Sequence, residues 1–346
     1  MTTRLLARLM TFAVVAGLFH AYPGFAEEGK LWVTYPGGEG IGQGKHVVLV
    51  SGDDEYRSEE ILPQFGKILS KHHGFKCTVL FAIDPETGHI KPSHQTNIPG
   101  LEALATADLM VIATRFRNLP NEQMEHIDAY LKTGKPVIGM RTATHAFRIR
   151  DKNSPYHKYD FRSSSEGWSG GFGTQILGET WVSHHAKKGV QSTRGIVAEG
   201  AEDHPILKGI APGAIWADAH VYTINLPMAE SVQPIVMGGV LSSMSPDGEL
   251  ADSPKNDPMM PVAWINHYEV VEGNKGRVFT TTMGAGKDFH SEGTRRLMLN
   301  AALWCMGMEN AITEEGLPVD LVGEYEPNTS GFNKYKKGLT PADFAL

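Results

Sequence analysis

Between residues 46 and 140 the sequence alternates short apolar runs with helical patterns, and this alternation constrains the fold more than any other feature. The runs "HVVLV", "FKCTVLFAI", "DLMVIAT" and "PVIGM" are predominantly apolar, with no regularly alternating polar face. Between them, "ILPQFGKILSKHH" and the segment that Pro120 opens repeat apolar residues at helical spacing. Strands that are apolar on both faces and alternate with helices predict an α/β fold, a mostly parallel sheet with helices on both faces.

The pattern is less regular after residue 149. We predict strands at "ETWVSHH", "TRGIVA", "AIWADAHVYTI", "PVAWINHY" and "RVFTTTM", and a closing amphipathic helix at "RRLMLNAALWCMG". The α/β domain is therefore expected to span residues 45–311. Residues 312–346 show little periodicity and predict an extended C-terminal arm packed on the surface.

The N-terminus has the features of a secretory signal peptide. Arg4 and Arg8 precede the apolar run "LMTFAVVAGLF", and "GFA" supplies small residues for cleavage before Glu27. Residues 1–26 are thus predicted to be a signal peptide, which implies export to the periplasm or the extracellular space. An uncleaved anchor is the alternative, although the run is shorter than the roughly 20 residues that a span needs. No later segment is long and apolar enough to span a membrane, and residues 27–44 read as a flexible, Gly-rich lead-in.

Charge and cysteine content exclude other classes. The formal net charge is -7 and no Lys/Arg block is present, so nucleic acid is not an expected partner. Cys77 and Cys305 both have apolar neighbours, which favours two buried free thiols over a bridge or a reactive nucleophile.

Charged residues follow three of the predicted parallel strands. The first strand ends in "SGDDEYRSEE", the third in "TRFRN" and the fourth in "RTATH". In open α/β sheets the carboxyl ends of the strands meet at the ligand crevice. Carboxylates and guanidinium groups there can each hold two hydroxyls of a polyhydroxylated or anionic ligand, although they could also pair with one another. The candidate residues are Asp53, Asp54, Glu55, Arg57, Arg115, Arg141, Thr142 and His145.

Further imidazoles lie in the segments "VSHHAKK" and "WADAHVY". Neighbouring strand residues face opposite ways, so only one of His184 and His185 can point into a common site, whereas Asp218 and His220 should share a face. A set such as His145, His184 and His220 could bind a divalent metal, for example zinc, with a position left for water. Without a metal, these side chains are candidate general acids and bases.

Trp168 lies in the Gly/Ser-rich loop "FRSSSEGWSGGFG". An aromatic ring on such a loop can offer a stacking face for a sugar. We therefore expect Trp168 to bind substrate as part of a lid.

Several ordered segments resemble one family. "VVLVSGDDEYRSEE", "ADLMVIATRF", "KPVIGMRTATHAF", "EDHPILKGI", "WADAHVY" and "PVAWINHY" are similar to the ThuA-like, or trehalose-utilisation, proteins over roughly residues 45–310. The resemblance implies the class I glutamine amidotransferase-like, flavodoxin-like fold. Amidotransferases carry a nucleophilic Cys at the sharp turn after the fourth strand, where this chain has Arg141. A guanidinium has no usable lone pair for attack, so glutamine hydrolysis through a thioester is excluded.

The resemblance also implies a role in carbohydrate metabolism, with a small-molecule sugar as the partner. The expected activity is a hydrolase or lyase acting on a sugar or a 3-keto-glycoside without a covalent intermediate. Such a reaction needs a base, an acid and a group that stabilises an enolate, and His145, Glu55 or Asp218, and Arg141 or a metal fit those roles. The alternatives are a non-catalytic sugar-binding or sensing module and, less favoured, acyl hydrolysis through Thr142, for which no "G-x-S-x-G" motif is present.

Overall fold

The computed structural model describes residues 31–346, and its centre is a ten-stranded mixed sheet. The predicted signal peptide, residues 1–26, lies outside the described residues. The strands are β1 (Trp32–Tyr35), β2 (His46–Gly52), β3 (Lys76–Leu80), β4 (Leu109–Thr114), β5 (Val137–Met140), β6 (Ser183–His184), β7 (Thr193–Val197), β8 (Trp216–Ala217), β9 (Tyr222–Thr223), β10 (Gln233–Val240), β11 (Met260–Glu269) and β12 (Lys275–Thr281). The α-helices are α1 (Ser58–His73), α2 (Asn121–Lys132), α3 (Gly171–Gln175) and α4 (Glu292–Cys305).

The sheet order is β1-β3-β2-β4-β5-β12-β11-β10-β7-β8, and β6 pairs with β9 in a separate two-stranded sheet. The five strands from β3 to β12 in this order run parallel, while β1 and the four strands from β11 to β8 pair antiparallel to their neighbours. Every residue of β2, β4 and β5 is buried. The sequence prediction of an α/β fold with a mostly parallel central sheet is confirmed.

Helices cover both faces of the sheet and form two cores. Residues of α1 and α4 pack into the core on one face, and residues of α2 and α3 pack into the core on the other. Helix α1 ends at Gly74, whose φ of 78° is readily adopted by glycine. Each of the strands β2, β4 and β5 therefore has both faces in apolar contact, as their continuous apolar sequences require.

Three segments differ from the sequence predictions. The lead-in, predicted as flexible over residues 27–44, contains β1, which pairs with β3 from Trp32 to Tyr35. The run "AIWADAHVYTI", predicted as one strand, is divided into β8 and β9 by a bend after Ala217. "ETWVSHH" contributes only the two residues of β6.

The C-terminal arm, residues 312–346, contains one short 3₁₀ turn at Pro341–Phe344 and packs back on the first part of the domain. The hydroxyl of Tyr35 donates a hydrogen bond of 2.8 Å to the carbonyl of Phe344, and the Phe344 ring stacks on Phe81. No helix within residues 31–346 has both the length and the apolar character of a membrane span.

Candidate functional site at the carboxyl edge of the sheet

A small cavity of about 80 Å³ lies beyond the carboxyl ends of β2, β4 and β5. We call it the edge pocket. Its lining side chains come from the three strand ends, from the segment around β6 and from the segment around β9. They are Glu55, Tyr56, Arg115, Phe116, Arg141, Thr142, His145, Trp181, His184, His220 and Tyr222.

Strained backbone is concentrated around this pocket. Four residues other than glycine have positive φ in the described part of the chain: Arg57 (66°), Phe116 (50°), Arg141 (48°) and Asn333 (58°). The first three follow β2, β4 and β5, and Asn333 follows Phe332, whose ring lies beside Arg115 of the pocket wall. Side chains make this conformation costly, and such strain in proteins clusters at ligand sites and switch regions.

Arg141 is held rigidly at the turn after β5. Its Nη1 donates hydrogen bonds to the carbonyls of His220 (3.0 Å) and Thr282 (2.6 Å). Its guanidinium carbon lies 4.1 Å from the ring centre of Tyr56 and 5.2 Å from that of Tyr222. Two carbonyl acceptors and two aromatic faces keep this buried cation in place, so Arg141 contributes a fixed positive charge to the pocket wall.

Tyr222 connects this arginine to the next residues of the turn. Its hydroxyl donates a hydrogen bond of 2.8 Å to the carbonyl of Arg141 and lies 2.8 Å from Oγ1 of Thr144. The bonds fasten the strained turn to β9, across a sequence separation of about 80 residues.

Glu55 lies between two cations. Its Oε1 pairs with the ammonium of Lys188, and its Oε2 lies 3.6 Å from Nη2 of Arg115. Arg115 also binds Oδ1 of Asp54 at 3.1 Å. Lys188 comes from the loop between β6 and β7, so this ion pair joins the two sides of the pocket mouth.

Asp53 lies beneath the pocket and positions two of its residues. Its Oδ1 accepts hydrogen bonds from the amides of Glu55 (2.8 Å) and Tyr56 (3.2 Å), and its Oδ2 accepts one of 2.6 Å from Thr142. Burial raises the pKa of Asp53, and the hydrogen bonds from Thr142 and the Glu55 amide oppose that shift. The Asp53 carboxylate is thus fully occupied within the protein.

Three imidazoles face the pocket, and two of them are deprotonated by their surroundings. Burial, followed by the charges of Arg115 and Arg141, holds the pKa of His145 well below 6.5. Burial and the charge of Arg141 lower the pKa of His220 to about 2. Both rings are therefore neutral at neutral pH and can exchange hydrogen bonds with hydroxyl groups.

The structure also decides which of the paired histidines faces the pocket. The His184 ring lies 5.8 Å from that of His220 and 5.8 Å from that of Trp181. His185 points away and donates from Nε2 to the carbonyl of Lys255 at 2.7 Å.

Three predicted substrate-binding residues lie outside the pocket wall. Asp53 and Asp54 make the contacts described above. Arg57 is wholly buried, where its Nη2 donates to the carbonyls of Asp54 (2.9 Å) and Gly331 (3.3 Å). Asp53 and Asp54 are paired within the protein, whereas Arg57 has an ion-pair partner in Glu59 (3.4 Å) and leaves Nη1 without an acceptor.

Two further predictions need correction. Asp218 does not line the pocket, because the chain bends after β8 and the expected shared face with His220 is not formed. Trp168 does not form a lid over this pocket. Its ring packs edge-on against Tyr159 at 4.9 Å and lies 4.7 Å from the ammonium of Lys158, in contact with the core beside α3.

The predicted zinc ligands do not fit a metal site as they lie. Within residues 31–346 no three His, Cys, Asp or Glu side chains are arranged to hold a metal ion together. The ring centre of His145 lies 5.0 Å from that of Phe116, 5.4 Å from that of Trp181 and 6.3 Å from that of Tyr222, so aromatic rings occupy much of its surroundings.

Sequence reasoning did not assign Tyr56, Phe116, Trp181, Tyr222 or Lys188 to this site. Tyr56 directly follows Glu55 and Phe116 directly follows Arg115, so their positions in the sequence could have predicted that they lie at the same site. Both cysteines are buried and free, as their apolar neighbours predict, and neither lines the pocket. The lining contains neither cysteine nor serine, and its Thr142 donates its hydroxyl to Asp53.

Comparisons with known proteins place these observations in a family. The profile of the ThuA family, described as trehalose utilisation, matches residues 46–305. A ThuA-like protein from Parabacteroides merdae is 14% identical, with a TM-score of 0.44, and the match covers 89% of this chain and all of that one. A ThuA-like protein from Bacteroides uniformis is 15% identical, with a TM-score of 0.41, over 78% of this chain and 95% of that one. No curated protein matches the sequence.

Proposed function

This chain belongs to the ThuA family, and on that premise we propose that it is an enzyme of carbohydrate metabolism that cleaves a sugar or a 3-keto-glycoside without a covalent intermediate. The observation that carries the proposal is the composition of the edge pocket. It brings the carboxylate of Glu55 together with neutral imidazoles and the guanidinium groups of Arg115 and Arg141, and within residues 31–346 Glu55 is the one carboxylate of its lining, whereas a covalent glycosidase mechanism uses two.

A 3-keto-glycoside can be cleaved with these groups alone. The ketone acidifies the neighbouring C2–H bond, so a base removes that proton and leaves an enolate. The enolate electrons then form the C1–C2 double bond while the C1–O bond breaks, and the departing oxygen takes a proton from an acid. Water adds across the double bond, and the result is hydrolysis with both protons accounted for.

The geometry suggests a role for each group. His145 is neutral, but its lowered pKa makes it a weak base, so it can accept the C2 proton only because the neighbouring cations stabilise the enolate that forms. The fixed charges of Arg141 and Arg115 stabilise the enolate oxygen, since charge in a buried site acts more strongly than in water. At the mouth, the ammonium of Lys188 is paired with the carboxylate of Glu55. The proton of this pair, carried by Lys188, can pass to the departing oxygen.

Turnover is tested by incubating the purified protein with methyl and phenyl glycosides oxidised at C3 and by following release of the alcohol. We expect His145→Gln and Glu55→Gln to lose activity while both variants stay folded. If no 3-keto-glycoside or parent glycoside is cleaved, the enzymatic proposal fails. Saturable binding without product would instead favour a sugar-binding or sensing module.

We also propose that the protein is exported. The support is the sequence of residues 1–26, with two arginines, an apolar run and small residues before Glu27. Expression of the full chain followed by N-terminal sequencing tests this, and a mature N-terminus at Glu27 in the periplasm or medium is the expected result.

A further inference from the structure

The C-terminal arm reaches the mouth of the edge pocket, although it lies beyond the residues that the family profile matches. The amide of Asn328 donates to Oε2 of Glu60 at 3.0 Å, and the amide of Gly331 donates to the carbonyl of Glu55 at 2.7 Å. The carbonyl of Gly331 in turn accepts a hydrogen bond from the buried Arg57. These bonds fix the backbone of residues 328–331 against the end of β2 and the start of α1.

The next residue, Phe332, is held beside the charged groups of the mouth. Its ring centre lies 5.0 Å from the guanidinium carbon of Arg115 and 5.7 Å from the ammonium of Lys188. Phe332 is 52% exposed, the largest fraction among the exposed large apolar side chains of residues 31–346. The strained backbone of Asn333 follows it directly. A rigid backbone therefore keeps an aromatic ring against two cations and leaves about half of the residue exposed to water.

The size of the edge pocket indicates which part of a ligand could contact the Phe332 ring. The cavity is about 80 Å³, whereas pockets that enclose a drug-sized ligand hold roughly 300–1,000 Å³. A glycoside whose reacting sugar enters this cavity must leave its second group at the mouth, beside Lys188 and Phe332. A flat apolar group there can stack on the exposed part of the ring.

Building on the proposed function, we propose that Phe332 is a specificity-determining residue that binds the leaving group of the substrate. The substrate class is then a glycoside whose leaving group is aromatic or presents an apolar face. Because the Phe332 ring lies outside the cavity, its removal should weaken the binding of the leaving group and leave the binding of the sugar unchanged. Lys188 contacts both Glu55 and the Phe332 ring. The proposed proton donor therefore lies at the leaving-group end of the substrate, beside Phe332.

The test compares methyl and phenyl C-glycosides of glucose, galactose and mannose by calorimetric titration, each oxidised at C3 and each lacking the glycosidic C1–O bond that the enzyme would break. For each sugar, wild type and Phe332→Trp should bind the phenyl derivative about fivefold more tightly than the methyl derivative, as expected for one aromatic contact. Phe332→Ala should remove that difference and leave the affinity for the methyl member within about twofold. Val271→Ala, an exposed apolar residue in the turn between β11 and β12, is the matched control and should behave as wild type.

The outcomes separate the two proposals. If phenyl and methyl members bind wild type equally, or if the phenyl preference survives in Phe332→Ala, the role of Phe332 is wrong while the proposed function stands. Tighter binding of every ligand by Phe332→Ala would identify the ring as a plug and would also overturn this role. If no ligand of the set binds, the proposed function fails and the assignment of Phe332 fails with it.

Discussion

The hydroxyl of Thr142 donates a hydrogen bond of 2.6 Å to Oδ2 of Asp53, and this bond joins the ends of β5 and β2 beneath the edge pocket. Through its other oxygen, Asp53 holds the amides of Glu55 and Tyr56. The position of the Glu55 backbone thus depends on a carboxylate that does not itself line the cavity.

Thr142→Val tests this support, because valine keeps the shape and removes the hydroxyl. It leaves a buried Asp53 oxygen without its donor, so the free energy of unfolding should fall by about 1–3 kcal/mol in urea denaturation. Thr142→Ser restores a donor and should recover part of the loss. If the valine and serine variants are equally stable, the bond is not what stabilises this corner.

Glu55→Gln should abolish most of the proposed activity. The amide cannot ionise and loses the charge that pairs with Lys188 and Arg115. We expect kcat on a 3-keto-glycoside to fall by about 10²-fold or more, with unchanged circular dichroism. The control is Glu314→Gln, which alters an exposed pair with Lys208. Retention of wild-type kcat in Glu55→Gln would remove Glu55 from the mechanism.

Replacement of Arg141 separates backbone strain from side-chain contacts. Both Arg141→Ala and Arg141→Gly leave the buried carbonyls of His220 and Thr282 without their donor, so both should unfold at lower urea concentration. Glycine tolerates the φ of 48° and alanine does not, so the glycine variant should be more stable by about 1 kcal/mol. The usual order, with alanine more stable than glycine, would show that the turn relaxes when the side chain is lost.

Acid should destabilise the protein through its buried imidazoles. The pKa of His220 is about 2 in the folded state, against about 6.5 for a histidine in the unfolded chain. Below pH 6.5 the unfolded chain therefore binds the additional proton, and the free energy of unfolding decreases as the pH falls. The contribution of His220 to the free energy of unfolding is zero above about pH 6.5 and becomes a growing penalty below it, by up to about 1.4 kcal/mol per pH unit.

His220→Gln removes that contribution. The slope of unfolding free energy between pH 6.5 and pH 5 should become shallower in this variant, as measured by urea titrations at each pH. His89→Gln, a change at an exposed position, should keep the wild-type slope. Identical slopes in wild type and His220→Gln would mean that the imidazole takes up a proton in the folded state.

The sequence predicts the part of the site that depends on sheet topology. Glu55, Arg115 and Arg141 follow the ends of β2, β4 and β5, and parallel strands bring their carboxyl ends to one edge. Continuous apolar runs identify those strands because both of their faces are covered. Arg141 and His145 could therefore be assigned to a common crevice without any structure.

The rest of the site comes from segments whose positions no local pattern determines. Lys188 reaches Glu55 across 133 residues, and Phe332 reaches Arg115 from the C-terminal arm. The error at Asp218 has the same origin, because a period-2 pattern predicts a shared face only where the strand continues. It does not continue after Ala217, where tertiary contacts bend the chain toward β9.

The arm also determines when the site becomes complete. Residues 312–346 follow every strand of the sheet, so a ribosome makes the strands, Glu55 and the imidazoles before it makes Phe332. Domains generally fold as units, and N-terminal ones fold first during synthesis. Because the arm is made last, the aromatic ring of Phe332 can join the mouth only after the rest of the site has been synthesised.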